Sequence, residues 1–366
     1  MIRTLLFSLL LSTPLLITAQ TLPTLNQLTE GWNSIPTGGL CSSGTPYLFY
    51  TLNSERSDKL LIYFNGGGAC WFGQACDLNS EPNVHTPFAE MSSNNPAMMD
   101  GIFALDNAEN PLRDYDMVSV PYCTGDVHVG AGEKQYQYTN ADGIEVNVTT
   151  YHNGYANSAT VLDWVYANYP NPESVVITGS SAGAIGSSFY AGMVAEHYAE
   201  KPVVLLADAA GGYNSPALPT TFTAWNTAAI LPDWPEYAGE TNDSLTFEDF
   251  YIASSSHAAN LTIAQYNAAE DETQIQFNYL IGDAPGSFSL PQRIFNHYVE
   301  IESAVDEFHS YTAGGNVHTI LRSPIFYTYA VSGVRFVDWF QALVDGQALG
   351  DISCVDEPAG CTAAPN

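Results

Sequence analysis

A serine stands at the centre of Gly179-Ser180-Ser181-Ala182-Gly183, a Gly-x-Ser-x-Gly pentapeptide entered from the β-branched run Ser174-Val175-Val176-Ile177-Thr178 and followed by small residues from Ala184 to Ser188. Strand, sharp turn and helix with a serine at the apex is the setting of a nucleophile elbow, in which the hydroxyl is pushed clear of the sheet. The two glycines leave room for such a turn, whose central residue takes a strained backbone conformation. Acyl-transfer chemistry at Ser181 needs a base to take the proton, a third group to orient the base, and N–H donors for the oxyanion.

In this fold the partners follow the nucleophile in the order acid, then histidine. The histidines after Ser181 are His197, His257, His297, His309 and His318. Gly314-Gly315-Asn316-Val317 leads into His318, the sort of loop at a strand end from which a catalytic imidazole hangs. His309 is its nearest rival, whereas His197 and His297 lie in polar helical stretches and read as surface residues. For the acid, Asp271 closes the segment after the strand that ends in Asp208. Asp208 is the alternative, with Glu270, Glu272 and Asp306 behind it. The amide of Ala182 and those of a glycine-rich loop after an early strand are the expected oxyanion donors, and Gly66-Gly67-Gly68 follows Leu60 to Phe64 as that requires. Asp126, His128 and His152 lie in polar loops, either lining the site or holding those loops by hydrogen bonds.

The elements that must position these groups read as alternating strands and helices. Tyr47–Thr51, Lys59–Phe64, Asp116–Val120, Ser174–Thr178, Pro202–Asp208 and Leu261–Tyr266 have strand character. Val161, Leu162, Trp164 and Val165 recur at helical spacing between Asn157 and Tyr169, before Pro170. Such alternation predicts an α/β fold with a largely parallel central sheet flanked by helices. No repeat or linker divides residues 20–366, which read as a single domain. Residues 21–36 read as an irregular lead-in, and residues 212–258, rich in Pro, Trp, Tyr and Thr, as an irregular insertion that would build a substrate pocket.

The chain has 366 residues, 46% of them hydrophobic, enough to bury a large core. Arg3, the apolar run Leu5–Ile17 and the small residue Ala19 predict a cleaved secretory signal over residues 1–19. A membrane span needs about 20 apolar residues, and this run is shorter and interrupted by Pro14. The six cysteines Cys41, Cys70, Cys76, Cys123, Cys354 and Cys361 suit an oxidising compartment, extracellular or periplasmic. Cys70 and Cys76 are near neighbours, as are Cys354 and Cys361, while the count permits fifteen pairings. No Cys-x-x-Cys spacing occurs and no histidine adjoins a cysteine, so no metal site is expected. With 39 acidic residues against 9 basic and a net charge of −30, there is no basic footprint for nucleic acid, and an anionic polymer would be repelled.

Phe64-Asn65-Gly66-Gly67-Gly68-Ala69-Cys70-Trp71, Pro121-Tyr122-Cys123-Thr124-Gly125-Asp126, the pentapeptide at Ser181, Asp271-Glu272-Thr273-Gln274-Ile275 and the late His318 together resemble the pectin acetylesterase and Notum family of secreted serine hydrolases. The resemblance runs from about Cys41 to Gly346. It implies an α/β-hydrolase fold, a triad of Ser181, Asp271 and His318, oxyanion donors at Gly67, Gly68 and Ala182, and disulfides Cys41–Cys123 and Cys70–Cys76, which leaves Cys354–Cys361. Two departures fall in the pocket and not in the triad. The loop reads Gly-Gly-Gly-Ala-Cys where Notum-type proteins carry a tryptophan after two glycines, and Val317 and Thr319 flank His318 without a histidine-cysteine pair.

The expected function is therefore a secreted serine esterase that hydrolyses O-acyl esters, above all O-acetyl esters, of a polysaccharide through an acyl-enzyme. Neither a cofactor nor a metal is expected, and the partner is an acylated glycan or small ester. The alternatives are a carboxylesterase acting on small or lipid esters in the Notum manner, and an inactive glycan-binding protein on the same fold.

Overall fold

A computed structural model describes residues 21–54, 58–81, 83–356 and 360–362. The expected signal segment, residues 1–19, lies outside them. The strands, in chain order, are β1 (Gly31–Leu40), β2 (Pro46–Asn53), β3 (Lys59–Phe64), β4 (Asp116–Val120), β5 (Gly132–Thr139), β6 (Glu145–His152), β7 (Ser174–Ser180), β8 (Val203–Asp208), β9 (Leu261–Ala268), β10 (Phe308–Ala313), β11 (Ala330–Val331), β12 (Val334–Arg335) and β13 (Ile352–Ser353). The helices are α1 (Gly73–Cys76), α2 (Gly154–Asn168), α3 (Ala182–His197), α4 (Pro219–Trp225), α5 (Glu248–His257), α6 (Glu272–Ile281), α7 (Leu290–Glu302) and α8 (Phe336–Val344).

Nine strands form the central sheet in the order β1-β2-β4-β3-β7-β8-β9-β10-β13. From β4 through β13 every neighbouring pair is parallel, while β1 and β2 run antiparallel at one edge. The apolar runs that look continuous in sequence alternate between two cores. Leu60, Ile62 and Phe64 of β3 and Val175 and Ile177 of β7 face one core with α2, α3, α5 and α7, and Leu61, Tyr63 and Val176 face the other with α8. Burial on both faces is why these strands carry no polar alternation. Each fully buried Leu, Ile or Phe contributes about 1.5–3 kcal/mol. Chain order reverses beside β3, whose neighbours are β4 on one side and β7 on the other. The ends of β3 and β7 thus flank a topological switch point, where sheets of this kind open a crevice for ligands.

Four expectations need correction. The lead-in is partly regular, since β1 pairs with β2 from Gly31↔Asn53 onward. It is an edge strand with Ile35 as its one buried residue, so it carries no apolar alternation and tolerates Pro36. Residues 212–258 contain α4 and α5, and α5 packs on α3. His152 closes β6 of the exposed β5–β6 hairpin. The helix expected from Asn157 begins at Gly154, whose N–H donates to the Asp126 carboxylate at 2.8 Å, an anion at a helix N-terminus.

Candidate active site

Ser181 joins β7 to α3 with φ 57° and ψ −122°. A non-glycine residue held there costs about 1–3 kcal/mol, which the surrounding structure must offset. The restraint is visible: Ser181 N donates to the Asp208 carbonyl at 2.7 Å, and a Cβ at Gly179 or Gly183 would collide with the Gly183 or Phe64 carbonyl oxygen respectively. The pentapeptide glycines are required by close backbone approach, and the serine is forced to the apex.

Asp271 is the N-cap of α6. Its Oδ1 accepts from the Thr273 and Gln274 amides at 2.9 and 3.1 Å, and its Oδ2 accepts from His318 Nδ1 at 2.7 Å. The carboxyl is fully buried while the imidazole side chain is 21% exposed. A carboxylate only accepts, so Nδ1 carries a proton, and in the neutral imidazole Nε2 keeps its lone pair. His318 is reached after β10 through Gly314-Gly315, where Gly315 N donates to the Cys361 carbonyl at 2.9 Å and Tyr329 Oη bonds the Gly314 carbonyl. The Cys354–Cys361 disulfide loop therefore braces the approach to His318.

Asp208, the alternative acid, has a different place. Its carboxylate accepts from Ser180 Oγ at 2.8 Å and from the Ile320 and Leu321 amides at 3.0–3.1 Å. One buried side chain thus ties the residue before Ser181 to the residues just after His318. Burial pushes its pKa up, opposed by those same hydrogen bonds.

The glycine loop after β3 is clamped at every step. A Cβ at Gly66 would strike the Ser180 carbonyl, one at Gly67 would lie 2.5 Å from Thr86 Oγ1, and one at Gly68, where φ is +78°, would strike the Val84 carbonyl. Gly67 O accepts from Thr86 N at 2.7 Å, Cys70 N donates to Gly125 O at 2.8 Å, and Trp225 Nε1 donates to Cys70 O at 2.7 Å. The disulfides are Cys41–Cys123, Cys70–Cys76 and Cys354–Cys361, and the second closes the turn that follows this loop. Among the described residues no protein group accepts from the Gly67, Gly68 or Ala182 amide in a hydrogen bond between elements. Gly68 and Ala182 line the same space as Ser181, and N–H groups left open there are suited to receive a developing oxyanion.

Ser181, Ala182 and Gly68 line a narrow apolar slot with Trp71, Ile185, Tyr213, Leu218, Trp225, Phe247 and Phe277, a cavity of about 30 Å³. The Tyr213 phenol lies against Ser181, and burial drives its pKa far up. Across Gly68 and Phe277 the slot gives way to an open groove of about 760 Å³ bordered by Gly67, Asn83, His85, Thr86, Glu272, Thr273 and Gln276. Among the described residues no lysine or arginine lines either space.

Asp126, His128 and His152 hold loops. Asp126 accepts from Thr124 Oγ1 and the Gly154 and His128 amides, His128 Nε2 donates to the Asn65 carbonyl at 2.9 Å, and His152 Nδ1 bonds the Thr124 carbonyl at 3.0 Å. Burial pushes Asp126 up to about 6, and His128 and His152 down to about 4 and about 3. His128 thereby supports Asn65, the residue entering the glycine loop. Cys70, Cys76 and His152 bring their ligand atoms together, but the disulfide leaves no thiolate for a metal. His297, expected at the surface, is buried and bonds Glu248 at 2.6 Å, while His197 is exposed. A buried imidazole needs such a partner, and nothing local in sequence identifies it. Tyr213 and His85 are site residues that sequence patterns do not single out, and Gln274 lies in the stretch that carries the resemblance without a role assigned to it.

A mostly parallel sheet with a strained serine turn, a late acid–imidazole pair and a glycine loop at its switch point is the α/β-hydrolase architecture. Residues 26–222, more than half of the chain, match the family described as pectinacetylesterase. The chain belongs to that family. It is 31% identical over 150 residues to palmitoleoyl-protein carboxylesterase notum1a of Danio rerio, covering 40% of this chain and 27% of that protein. Human palmitoleoyl-protein carboxylesterase NOTUM is 27% identical over 160 residues, 43% of this chain and 30% of its own. Inactive palmitoleoyl-protein carboxylesterase notum1b of Danio rerio is 34% identical over 101 residues, 26% of this chain and 70% of its own. The chain thus spans about a quarter to a third of the length of the first two relatives. Asp271 and His318 lie beyond the family match, so their pairing is a statement of geometry alone.

Proposed function

We propose that the protein is a secreted serine esterase that removes a short acyl group, acetyl above all, from hydroxyls of a neutral polysaccharide through an acyl-enzyme. Ser181 Oγ attacks the ester carbonyl as His318 Nε2 takes its proton, Asp271 holds the Nδ1–H tautomer and stabilises imidazolium, and the Gly67, Gly68 and Ala182 amides receive the oxyanion. The imidazolium then protonates the departing sugar oxygen, and water activated by His318 releases the acid.

The observation that carries this reading is the contrast between the two spaces at Ser181. The slot at Ser181 is narrow, about 30 Å³, which favours a short acyl group such as acetyl over a long chain. The groove of about 760 Å³ sets Asn83, Thr86, Glu272, Thr273 and Gln276, groups suited to sugar hydroxyls, among apolar side chains such as Val84, Met91 and Leu280, and among the described residues no lysine or arginine lines it to attract polygalacturonate. A lipid-ester reading draws on the apolar slot walls and on relatives named as palmitoleoyl-protein carboxylesterases. A series of p-nitrophenyl esters from acetate to palmitate, with acetate release from neutral and anionic acetylated glycans, tests the choice. kcat/KM is expected to fall steeply beyond butyrate and to favour the neutral glycan. A maximum at long chains would select the lipid reading, and failure of Ser181 to react with a fluorophosphonate would select an inactive glycan-binding protein.

A further inference from the structure

Asp271 is pinned through Oδ1 by two backbone amides, which leaves the direction of Oδ2 to side chains. Besides His318, the side chain meeting Oδ2 is Gln274, whose Nε2 donates to it at 3.1 Å. The same Nε2 donates to Asn267 Oδ1 at 3.2 Å, and Gln274 Oε1 accepts from Gly212 N at 2.8 Å. Because a peptide N–H can only donate, it must face Oε1, and the amide has one possible orientation. Both Nε2 protons are then used, and Gln274 is fully buried.

The row continues away from the site. Asn267 Nδ2 donates to Gln265 Oε1 at 3.1 Å and to Tyr298 Oη at 2.9 Å, Gln265 Nε2 donates to His297 Nε2 at 2.7 Å, and His297 Nδ1 bonds Glu248 Oε1 at 2.6 Å. Every member is at least nine-tenths buried. In the other direction, Gly212 precedes Tyr213, the residue whose phenol touches Ser181. A fully satisfied network of this kind rigidifies what it holds.

We infer that the Gln274 carboxamide is a positioning residue for the esterase reaction proposed above. It fixes Asp271 Oδ2 in line with His318 Nδ1 and couples that carboxylate to the backbone that presents Tyr213 to Ser181. The inference rests on the esterase reading, and the experiment separates the two. The ionisable groups around the carboxamide are Asp271 with its partner His318, the Tyr213 phenol, and, one hydrogen bond further, the Tyr298 phenol, which burial pushes up to about 12.

The test compares the parent with Gln274→Met and Gln274→Glu on p-nitrophenyl acetate, with kcat normalised to sites titrated by a fluorophosphonate. Gln274→Met keeps the volume without the donor and is expected to lose about 10- to 100-fold in kcat per titrated site, with KM within about twofold, because sub-ångström misplacement of reacting groups costs on this order. A residue that only supports the fold lowers the number of titrated sites and leaves kcat per site unchanged. Gln274→Glu keeps the acceptor for Gly212 and donates to Asp271 only while protonated, because a carboxylate has no proton to give, and the neighbouring Asp271 charge raises the pH at which that proton is lost. Its kcat relative to the parent is expected to fall between about pH 5 and about pH 8. A kcat per site within threefold of the parent for Gln274→Met, or a flat ratio for Gln274→Glu, overturns the inference. If Gln274→Met does not fold, the Gln274→Glu ratio alone decides. If Ser181→Ala and Asp271→Asn are inert while both Gln274 variants match the parent, this inference alone fails. If the parent shows no activity that depends on Ser181, both readings fail.

Discussion

Replacing Asp271 with asparagine reverses the hydrogen bond to His318, sets an NH₂ against the Gln274 Nε2 donor as well, and leaves the two backbone bonds in place. The Thr273 and Gln274 amides point at Oδ1 at 2.9 and 3.1 Å, so the asparagine must put its carbonyl oxygen there. Its NH₂ then occupies the Oδ2 position, 2.7 Å from His318 Nδ1. Two donors cannot face each other at that distance, and the imidazole answers by moving its proton to Nε2, so that Nδ1 accepts. The nitrogen that must take the Ser181 proton is then already protonated. Loss of the working tautomer costs about 10⁴-fold in kcat/KM, or about 5.5 kcal/mol of transition-state stabilisation. Steady-state hydrolysis of p-nitrophenyl acetate measures it, with the melting temperature followed in parallel. Asp208→Asn has a different signature. It weakens a clamp on the Ile320 and Leu321 amides and lowers the melting temperature, while its catalytic loss stays well below that of Asp271→Asn. A loss below tenfold for Asp271→Asn, or an equal or greater catalytic loss for Asp208→Asn, refutes the reasoning and moves the acid to β8.

Ser181→Ala is expected to remove fluorophosphonate labelling and to lower esterase turnover by at least about 10⁴-fold with the fold intact; residual activity above a per cent contradicts it. Gly68→Ala places a methyl against the Val84 carbonyl at φ +78° and displaces one proposed oxyanion donor, so kcat is expected to fall by about 10²-fold or more with KM changed far less, and an unchanged kcat argues against that donor. Asp126 is pushed up to about 6 by burial; the folded state takes up its proton before the unfolded one, so its contribution to stability is present below about pH 3.8 and is lost as pH rises through about 6. Asp126→Asn is accordingly expected to gain stability relative to the parent on going from pH 4 to pH 7, by up to about 3 kcal/mol, and thermal melts at the two pH values that show no such change contradict the buried, raised carboxyl.

The nucleophile turn was legible because its requirements are local. Gly179 and Gly183 are needed within a few residues of Ser181, and an apolar strand of two-faced burial announces itself as a run such as Val175-Val176-Ile177. The glycine loop and the Gly-rich approach to His318 are legible for the same reason, since close backbone approach leaves a compositional mark. What sequence alone left open are contacts between segments far apart in the chain. Asp208 ends β8 and Asp271 follows β9 as the N-cap of α6, and only the packing of adjacent β8 and β9 sends one carboxylate to His318 Nδ1 and the other to the amides of Ile320 and Leu321. Edge strand β1 escaped notice because it pairs through its backbone on one side and buries a single side chain, Ile35. His297 looked like a surface residue because its partner Glu248 lies on another helix. Local sterics write themselves into the order of residues, whereas hydrogen-bond partners brought together by the sheet exist only once the chain has folded.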